Sequence, residues 1–251
     1  MDMSNVNFEG KIGIITGGAK GIGKAVAMQF AELGGKAVIV DVDAKTAEET
    51  CQEIGNAEYY VVDLNDSEAV VREFQRIIAE QGRVDVLVNN AGIVSTPAFE
   101  DLTLEEWNKI LNIDLTAVFL ASQVLFKHMK EMGGGRIVNV ASIAGKVGGG
   151  FLGTAAYAAA KAGVISLTKS IAKAGSPVNV YCNSVCPGYT RTPLQKAMTP
   201  EKEKVLLESM SMKRAAAPSE VAGGILFLAS DAASFIQGEN LNVDGGLLMN
   251  G

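Results

Sequence analysis

The distribution of apolar residues constrains the fold of this chain more than any other feature. Short apolar runs alternate with longer amphipathic stretches along its 251 residues. Such runs are typical of strands buried on both faces, which occur in parallel sheets with helices on each side. The runs are residues 11–15, 37–40, 58–62, 84–88, 136–140, 178–185 and 240–243. They predict an α/β fold in which a doubly wound parallel sheet of about seven strands has helices on both faces.

The stretches between these runs predict the helices. Amphipathic segments lie at residues 21–33, 67–80, 104–132, 155–173 and 219–230, and the second and the last are expected to begin at a serine cap. Residues 190–218 carry three prolines and no clear period, as is usual for a lid beside a binding site. No repeat or linker interrupts the pattern, so residues 1–251 are expected to form one domain.

Composition limits the classes of function. The formal charge of −6 and the pI near 5.0 disfavour a nucleic acid or an anionic membrane as partner. The first ten residues are polar, and no run reaches the roughly 18 apolar residues of a membrane span, so we expect neither a signal peptide nor a span. Three cysteines without zinc-type spacing predict a reducing compartment. We therefore expect a cytoplasmic protein without a metal.

A glycine-rich segment joins the first predicted strand to the first predicted helix. Gly17, Gly21 and Gly23 have the spacing Gly-x-x-x-Gly-x-Gly. Glycines allow a backbone to approach a pyrophosphate, and the N-terminus of the helix offers unpaired N–H groups. The segment predicts a dinucleotide site that Lys20 and Ile22 also contact. The alternative is that these glycines serve only a tight turn.

Two residues near this segment bear on the choice of cofactor. Asp41 ends the second predicted strand, where an acid would bind the 2′-hydroxyl of an adenosine ribose. A carboxylate there repels a 2′-phosphate, and the next residue, Val42, is not basic, so the pattern favours NAD over NADP. Lys20 argues the other way because it could pair with the additional phosphate. It could equally face solvent or the pyrophosphate.

Tyr157 and Lys161 form a candidate proton-transfer pair. They are four residues apart in a predicted helix, so they share one face of it. A free phenol titrates near pH 10, and a fixed cation in a dry cleft would favour its ionised form. The spacing alone is weak evidence, but Ser142 upstream and the glycine-rich segment strengthen it.

Several separated motifs, taken in order, resemble the short-chain dehydrogenase/reductase family from about Phe8 to Gly246. They are residues 16–23, Asp63-Leu64, Asn89-Asn90-Ala91-Gly92, Ser142, Tyr157 with Lys161, and Pro187-Gly188. The resemblance implies a Rossmann fold and hydride transfer between a nicotinamide and a secondary alcohol or ketone. It implies that Tyr157 is the general acid or base, that Ser142 bonds the substrate oxygen, and that Lys161 lowers the tyrosine pKa and binds the nicotinamide ribose.

The resemblance also assigns residues to the cofactor. The family's acid at the position of Asp63 contacts the adenine, its Asn-Asn-Ala-Gly turn flanks the cofactor, and the segment after Gly188 holds the carboxamide. The implied contacts are Gly17, Lys20, Gly21, Ile22, Gly23, Asp41, Val42, Asp63, Leu64, Asn90, Ala91, Gly92, Tyr157, Lys161, Pro187, Gly188, Thr190 and Thr192. A plain Asx turn is the alternative for Asn89 and Asn90, and a helix cap is the alternative for Thr192.

Asp114 departs from the family pattern. The family has an asparagine seven residues after a tryptophan, where it organises a water chain to the lysine, and that position after Trp107 is Asp114. An ionised aspartate accepts hydrogen bonds but donates none. We assign Asp114 to this catalytic position, and the alternative is a buried or capping carboxylate without a catalytic part.

The substrate is only weakly specified. Residues 143–156 are rich in glycine around Phe151 and Leu152, which predicts a flexible wall. Apolar residues of the predicted lid fit an apolar substrate, or they pack the lid on the body; they are Leu194, Met198, Leu206, Leu207, Met210 and Met212. Basic residues there could meet an anionic group or be merely solvated; they are Arg191, Lys196 and Arg214.

Three functions therefore compete. The first is an NAD-dependent oxidoreductase for a secondary alcohol or ketone, apolar or cyclic. The second is an NADPH-dependent reductase of 3-oxoacyl groups on acyl carrier protein, with Lys127, Lys130 and Lys173 as a basic patch for that acidic partner. The third is a catalytically silent nucleotide sensor, for which only Asp114 speaks. The resemblance further implies a homotetramer.

Overall fold

The computed structural model describes residues 6–94, 96–150, 153–195 and 198–249. Its strands are β1 (Ile12–Thr16), β2 (Lys36–Asp41), β3 (Ala57–Val61), β4 (Val86–Asn89), β5 (Gly135–Val140), β6 (Val180–Pro187) and β7 (Asn240–Val243). Within the described residues they form one seven-stranded sheet in the order β3-β2-β1-β4-β5-β6-β7. Every neighbouring pair is parallel. The predicted doubly wound sheet is confirmed, with strand ends displaced by at most two residues.

Helices cover both faces of the sheet. They are α1 (Gly21–Glu32), α2 (Ala44–Ile54), α3 (Ser67–Gln81), α4 (Leu104–Leu111), α5 (Ala117–Glu131), α6 (Ala144–Val147), α7 (Ala155–Gly175), α8 (Pro200–Ser209) and α9 (Pro218–Ala229). One core joins α1, α2 and α9 to the sheet around Phe30 and Ile39. The other joins α3 and α5 to it around Phe74 and Leu125. Because the sheet is parallel, the carboxyl ends of its strands meet at one edge, where a ligand site is expected.

Three helices were not predicted individually. Helix α2 buries only Ala47, Thr50 and Cys51, so its apolar period is faint. Helix α8 buries none of its residues. Its start was nevertheless readable, because the Thr199 side chain caps it and Pro200 occupies the first turn. Helix α6 is a single short turn.

The predicted serine caps are wrong. The N-cap of α3 is Asp66, whose carboxylate accepts hydrogen bonds from the N–H groups of Glu68 and Ala69 at 3.0 Å. Helix α9 begins at Pro218, one residue before the predicted serine, because the fixed φ of proline suits the first helical position. The Glu220 carboxylate accepts from the N–H of Ala217 at 2.9 Å and completes that N-terminus.

Helices α4 and α5 are joined by a π-helical turn, Asn112–Thr116, into one long helix. This stretch, Leu104–Glu131, spans 28 residues, and its most apolar window has a mean hydropathy of 1.4. By length and composition alone it could cross a membrane, contrary to the expectation from the sequence. Core helices pass the same test, and Leu125 and Met129 lie in the core. The stretch is therefore weak evidence for a span.

His128 provides a test of stability against pH. Its Nε2 accepts a hydrogen bond from the N–H of Val84 at 3.1 Å. Burial lowers the pKa of His128 below its ordinary value of 6.5, although Glu131 and Asp85 oppose that effect. A histidine with a lowered pKa in the folded state adds stability that is present above pH 6.5 and is lost as the pH falls from that value through the folded-state pKa. We expect His128→Gln, which keeps an acceptor, to lose less unfolding free energy than the wild type between about pH 7 and about pH 5. Urea denaturation at several pH values measures how the free energy of unfolding of each protein changes with pH. Equal changes in the wild type and in His128→Gln would contradict the lowered pKa of His128.

Candidate active site

A cleft of about 460 Å³ lies at the carboxyl edge of the sheet. It is lined by Gly17, Lys20, Gly21, Ile22, Val40, Asp41, Val42, Val62, Asp63, Leu64, Asn90, Ala91, Gly92, Ile93, Ile113, Val140, Ala141, Ser142, Tyr157, Lys161, Pro187, Gly188, Thr190, Thr192, Pro193 and Leu194. The structure thus brings together all the predicted site residues except Gly23 and Asp114. Sequence reasoning missed several apolar lining residues. Val40, Val62 and Val140 lie next to the predicted motifs at the ends of strands, so the strand-end rule could have found them.

Glycine is required at the three positions of the first loop for different structural reasons. Gly17 and Gly21 have φ of 62° and 56°, in the left-handed region that favours glycine. A Cβ on Gly17 would lie 2.9 Å from the Cα of Ala91. A Cβ on Gly23 would lie 2.1 Å from the carbonyl oxygen of Gly17, so Gly23 allows α1 to pack on the loop. Gly17 and Gly21 face the cleft, and Gly23 supports them from behind.

Hydrogen bonds tie this loop to the segment after β4. The Thr16 hydroxyl accepts from the N–H groups of Asn90 and Ala91 at 2.9 and 3.0 Å. The Asn90 amide donates to the carbonyl oxygens of Thr16 and Gly17 at 3.0 and 3.1 Å. A plain Asx turn therefore does not describe Asn90. The two loops that flank the cleft are held as one unit.

Asn89 belongs to the core instead. Its amide donates to the Ser122 hydroxyl at 3.0 Å and to the side-chain oxygen of Asn139 at 2.8 Å. The Asn139 amide in turn donates to Thr168 of α7 at 2.9 Å. This buried chain joins β4, β5 and two helices, so Asn89 is also more than an Asx turn.

The acidic end of the cleft lies beside α2. Asp41 accepts hydrogen bonds from the N–H groups of Ala19 and Asp43, both at 3.1 Å. The Lys20 ammonium lies 2.6 Å from the Asp43 carboxylate. This hydrogen bond with Lys20, aided by bonds from Thr46, lowers the pKa of Asp43 to about 2. Lys20 is therefore paired with an acid, an arrangement that the sequence did not reveal.

Tyr157 and Lys161 lie at the other end of the cleft. Both are in α7, and the Lys161 Nζ is 5.6 Å from the centre of the Tyr157 ring. Lys161 is 3% exposed and donates to the Val140 carbonyl oxygen at 3.1 Å. Tyr157 is half-buried. Ser142, two residues after β5, accepts from the N–H of Ala144 at 3.1 Å and lines the cleft together with Tyr157.

Asp114 lies behind Lys161 rather than in the cleft. It is 0% exposed, within the π-helical turn, and its Oδ1 accepts from the N–H of Ile93 at 2.9 Å. Its Oδ2 is 3.2 Å from Lys161 Nζ but makes no hydrogen bond of good geometry. A Cβ on Gly92 would lie 2.7 Å from that oxygen, so the glycine makes room for the pair. π-Helical turns are frequent at functional sites.

The Lys161 charge opposes the effect of burial on Tyr157 and Asp114, whereas the Asp114 charge adds to that effect on Tyr157. Burial raises the pKa of Tyr157 above its ordinary value, and Lys161 is the strongest opposing influence, as its spacing suggested. Burial also raises the pKa of Asp114, against the charge of Lys161. Burial disfavours the charged form of Lys161, but Asp114 and Tyr157 together raise its pKa. Lys161 therefore stays charged, and it helps Tyr157 to ionise.

The predicted lid contributes only in part. Leu194 lines the cleft, whereas the Met210 side chain is buried and approaches Gly245. Arg191 pairs with Glu203 at 3.2 Å. Arg214 pairs likewise with Glu220 in α9. The predicted Phe151, Leu152 and Lys196 lie outside the described residues.

The residues present fit a nicotinamide dinucleotide. Gly17 and Gly21 leave backbone uncovered at the N-terminus of α1, where a pyrophosphate is favoured. An acid ends β2 at one end of the cleft, and a hydroxyl, a phenol and a buried lysine lie at the other. Fold and cleft together define an NAD(P)-dependent oxidoreductase.

Comparison with known proteins identifies the family. The family model described as enoyl-(acyl carrier protein) reductase matches residues 17–248. A cis-4-hydroxycyclohexanecarboxylate dehydrogenase of Sinomonas cyclohexanicum is 40% identical over 244 residues, which are 95% of this chain and 97% of that protein. A 3-oxoacyl-(acyl-carrier-protein) reductase FabG of Thermotoga maritima is 35% identical over 248 residues, 97% of this chain and 100% of that one.

A solved structure agrees over nearly the whole chain. It comes from Beutenbergia cavernae, is provisionally identified as an NAD(P)-dependent gluconate 5-dehydrogenase, and has NADP bound at low occupancy. Its TM-score is 0.91 at 34% identity, and the match covers 97% of this chain and 98% of that one. The chain belongs to the short-chain dehydrogenase/reductase family, whose members act on alcohol and ketone groups.

Proposed function

We propose that this protein is an NAD-dependent dehydrogenase or reductase for a secondary alcohol or its ketone, apolar or cyclic. The observation that carries the proposal is that Ser142, Tyr157 and Lys161 line the same cleft as Asp41. Apolar residues that line the cleft, among them Ile93 and Leu194, favour an apolar substrate. The likeness to a dehydrogenase of a hydroxycyclohexane favours a cyclic one.

In the proposed mechanism Tyr157 moves the proton. In alcohol oxidation its phenolate takes the hydroxyl proton while the Ser142 hydroxyl donates a hydrogen bond to the same oxygen. Lys161 favours the phenolate through its charge and is itself oriented by Val140 and Asp114. When bound, the nicotinamide supplies the hydride acceptor or donor.

The preference for NAD rests on Asp41. Its carboxylate lines the cleft and is oriented by two backbone N–H groups. A 2′-phosphate placed near it would meet a fixed negative charge. Lys20, the residue that argued for NADP, is held by Asp43.

The second candidate is an NADPH-dependent reductase of 3-oxoacyl groups on acyl carrier protein. The likeness to FabG favours it, and Lys127, Lys130 and Lys173 are exposed, as an acidic partner would require. Asp41 speaks against its cofactor. The silent sensor has less support, because Ser142, Tyr157 and Lys161 are all present in the cleft.

We also propose that the protein is cytoplasmic and forms a homotetramer. Phe119 on α5 is exposed although apolar. Strand β7 pairs on one side only, with β6, among the described residues. Both features suit an interface between copies of the chain.

The test is oxidation of a panel of cyclic and open-chain secondary alcohols with NAD or NADP, followed through the absorbance of the reduced cofactor. We expect turnover with NAD, highest with apolar cyclic alcohols. Asp41→Ser is the control, and it is expected to narrow the preference for NAD because it removes the fixed charge. A clear preference of the wild type for NADP, with turnover only of 3-oxoacyl thioesters, would favour the second candidate.

A further inference from the structure

Asp43 lies outside the cleft and forms an ion pair with a lysine that lines it. Lys20 lines the cleft, whereas Asp43 does not. We propose that Asp43 is a positioning residue for the choice of cofactor. By holding the Lys20 ammonium on its carboxylate, it withholds that cation from a 2′-phosphate. The inference deepens the proposed preference for NAD and rests on the proposed cofactor site.

The Asp43 carboxylate is fixed by the start of α2. Its Oδ1 accepts from the N–H of Thr46 at 3.2 Å, and its Oδ2 accepts from the Thr46 hydroxyl at 2.8 Å. The same Oδ2 accepts from the Lys20 ammonium at 2.6 Å. The helix cap therefore holds the carboxylate in place, and the carboxylate in turn places the lysine.

Several carboxylates surround the single cation of Lys20. Asp43, Asp41 and Glu49 all act on it and raise its pKa. The next lysine of α1, Lys24, is also engaged, since it lies 2.6 Å from Glu53 of α2. A 2′-phosphate would thus meet acids whose nearest cations are already paired.

The expected effect is moderate. The Lys20 and Asp43 side chains are 52% and 39% exposed, and exposed ion pairs change an equilibrium constant by no more than about fivefold. Releasing Lys20 should therefore lower the dissociation constant of NADPH by about fivefold and leave that of NADH unchanged. Titration calorimetry can resolve a difference of this size between two dissociation constants.

The experiment is a double-mutant cycle with Asp43→Asn and Lys20→Met, with the dissociation constants of NADH and NADPH measured by titration calorimetry. Asparagine retains an acceptor for the N–H of Thr46 and so keeps the cap; thermal denaturation verifies the fold. We expect Asp43→Asn to tighten NADPH about fivefold. Lys20→Met should change the affinity for NADPH less in the wild type than in the Asp43→Asn background, where it should remove the whole gain. Lys24→Met, which breaks a similar pair outside the cleft, should have no effect.

Two outcomes of the mutant cycle would overturn the inference. If Asp43→Asn tightens NADPH equally with and without Lys20, Asp43 acts only through its own repulsion. If Lys20→Met weakens NADPH in the wild type as much as in the variant, Asp43 does not withhold the lysine. The cycle compares variants, so a wild type that prefers NADPH would contradict the proposed cofactor but not the pairing. A wild type that binds neither nucleotide would contradict both.

Discussion

Tyr157→Phe is expected to lower kcat by about 10² to 10⁴ fold, the contribution typical of a positioned acid or base. The variant removes the hydroxyl that carries the proton and keeps the ring, which packs beside Ala156 and Ala160. Because the proposed role is in proton transfer, binding of NADH should stay within a few fold of the wild type. Steady-state kinetics and calorimetry together measure the two effects.

The control for this variant is Tyr59→Phe. Tyr59 lies on β3, at the edge of the sheet, and it is exposed. The Tyr59→Phe substitution should therefore leave kcat unchanged. Retention of more than about a tenth of the activity by Tyr157→Phe would assign the proton to another group.

Asp114→Ala is expected to lower the free energy of unfolding by about 3–5 kcal/mol, because it leaves a buried charge without its partner. Lys161 would keep only the Val140 carbonyl oxygen, and the N–H of Ile93 would lose its acceptor. Urea denaturation measures the loss. We expect a fall in activity as well, since the orientation of Lys161 depends on the same contact.

A second variant separates the ion pair from the rest of the site. Adding Lys161→Met to Asp114→Ala removes the unpaired charge, so the double variant should be more stable than Asp114→Ala alone. Additive losses would show that the 3.2 Å contact between Asp114 and Lys161 contributes little to stability. The double variant should remain inactive in either case.

Much of the fold could be predicted, because the inner strands of a parallel sheet are buried on both faces. Strands β2 and β5 are almost wholly buried, so a plain apolar run marks them. Helix α8 lacks any buried residue, and such a helix leaves little period in the sequence. The error at α9 has another cause, since proline and serine both favour helix starts and the sequence does not rank them.

The residues of the site also differ in how far the sequence predicts their positions. Residues at or just after strand ends, such as Asp41 and Ser142, could be placed from the sequence because the topology brings those ends together. The pairing of Lys20 with Asp43 could not, because it depends on how α2 lies against the glycine-rich loop. Nor could the burial of Asp114, which depends on a π-helical turn and on the space left by Gly92.

The bonds among Thr16, Gly17 and Asn90 also determine how the cleft can open. They join the loop after β1 to the loop after β4, so the two loops cannot separate without breaking several hydrogen bonds at once. Helix α8 has no buried residue, and its Glu203 carboxylate accepts from the Tyr189 hydroxyl at 3.0 Å and from Arg191 at 3.2 Å. Entry and exit of ligands should therefore leave these two loops in place, so that the backbone around Gly17 and Asn90 keeps its shape through each turnover.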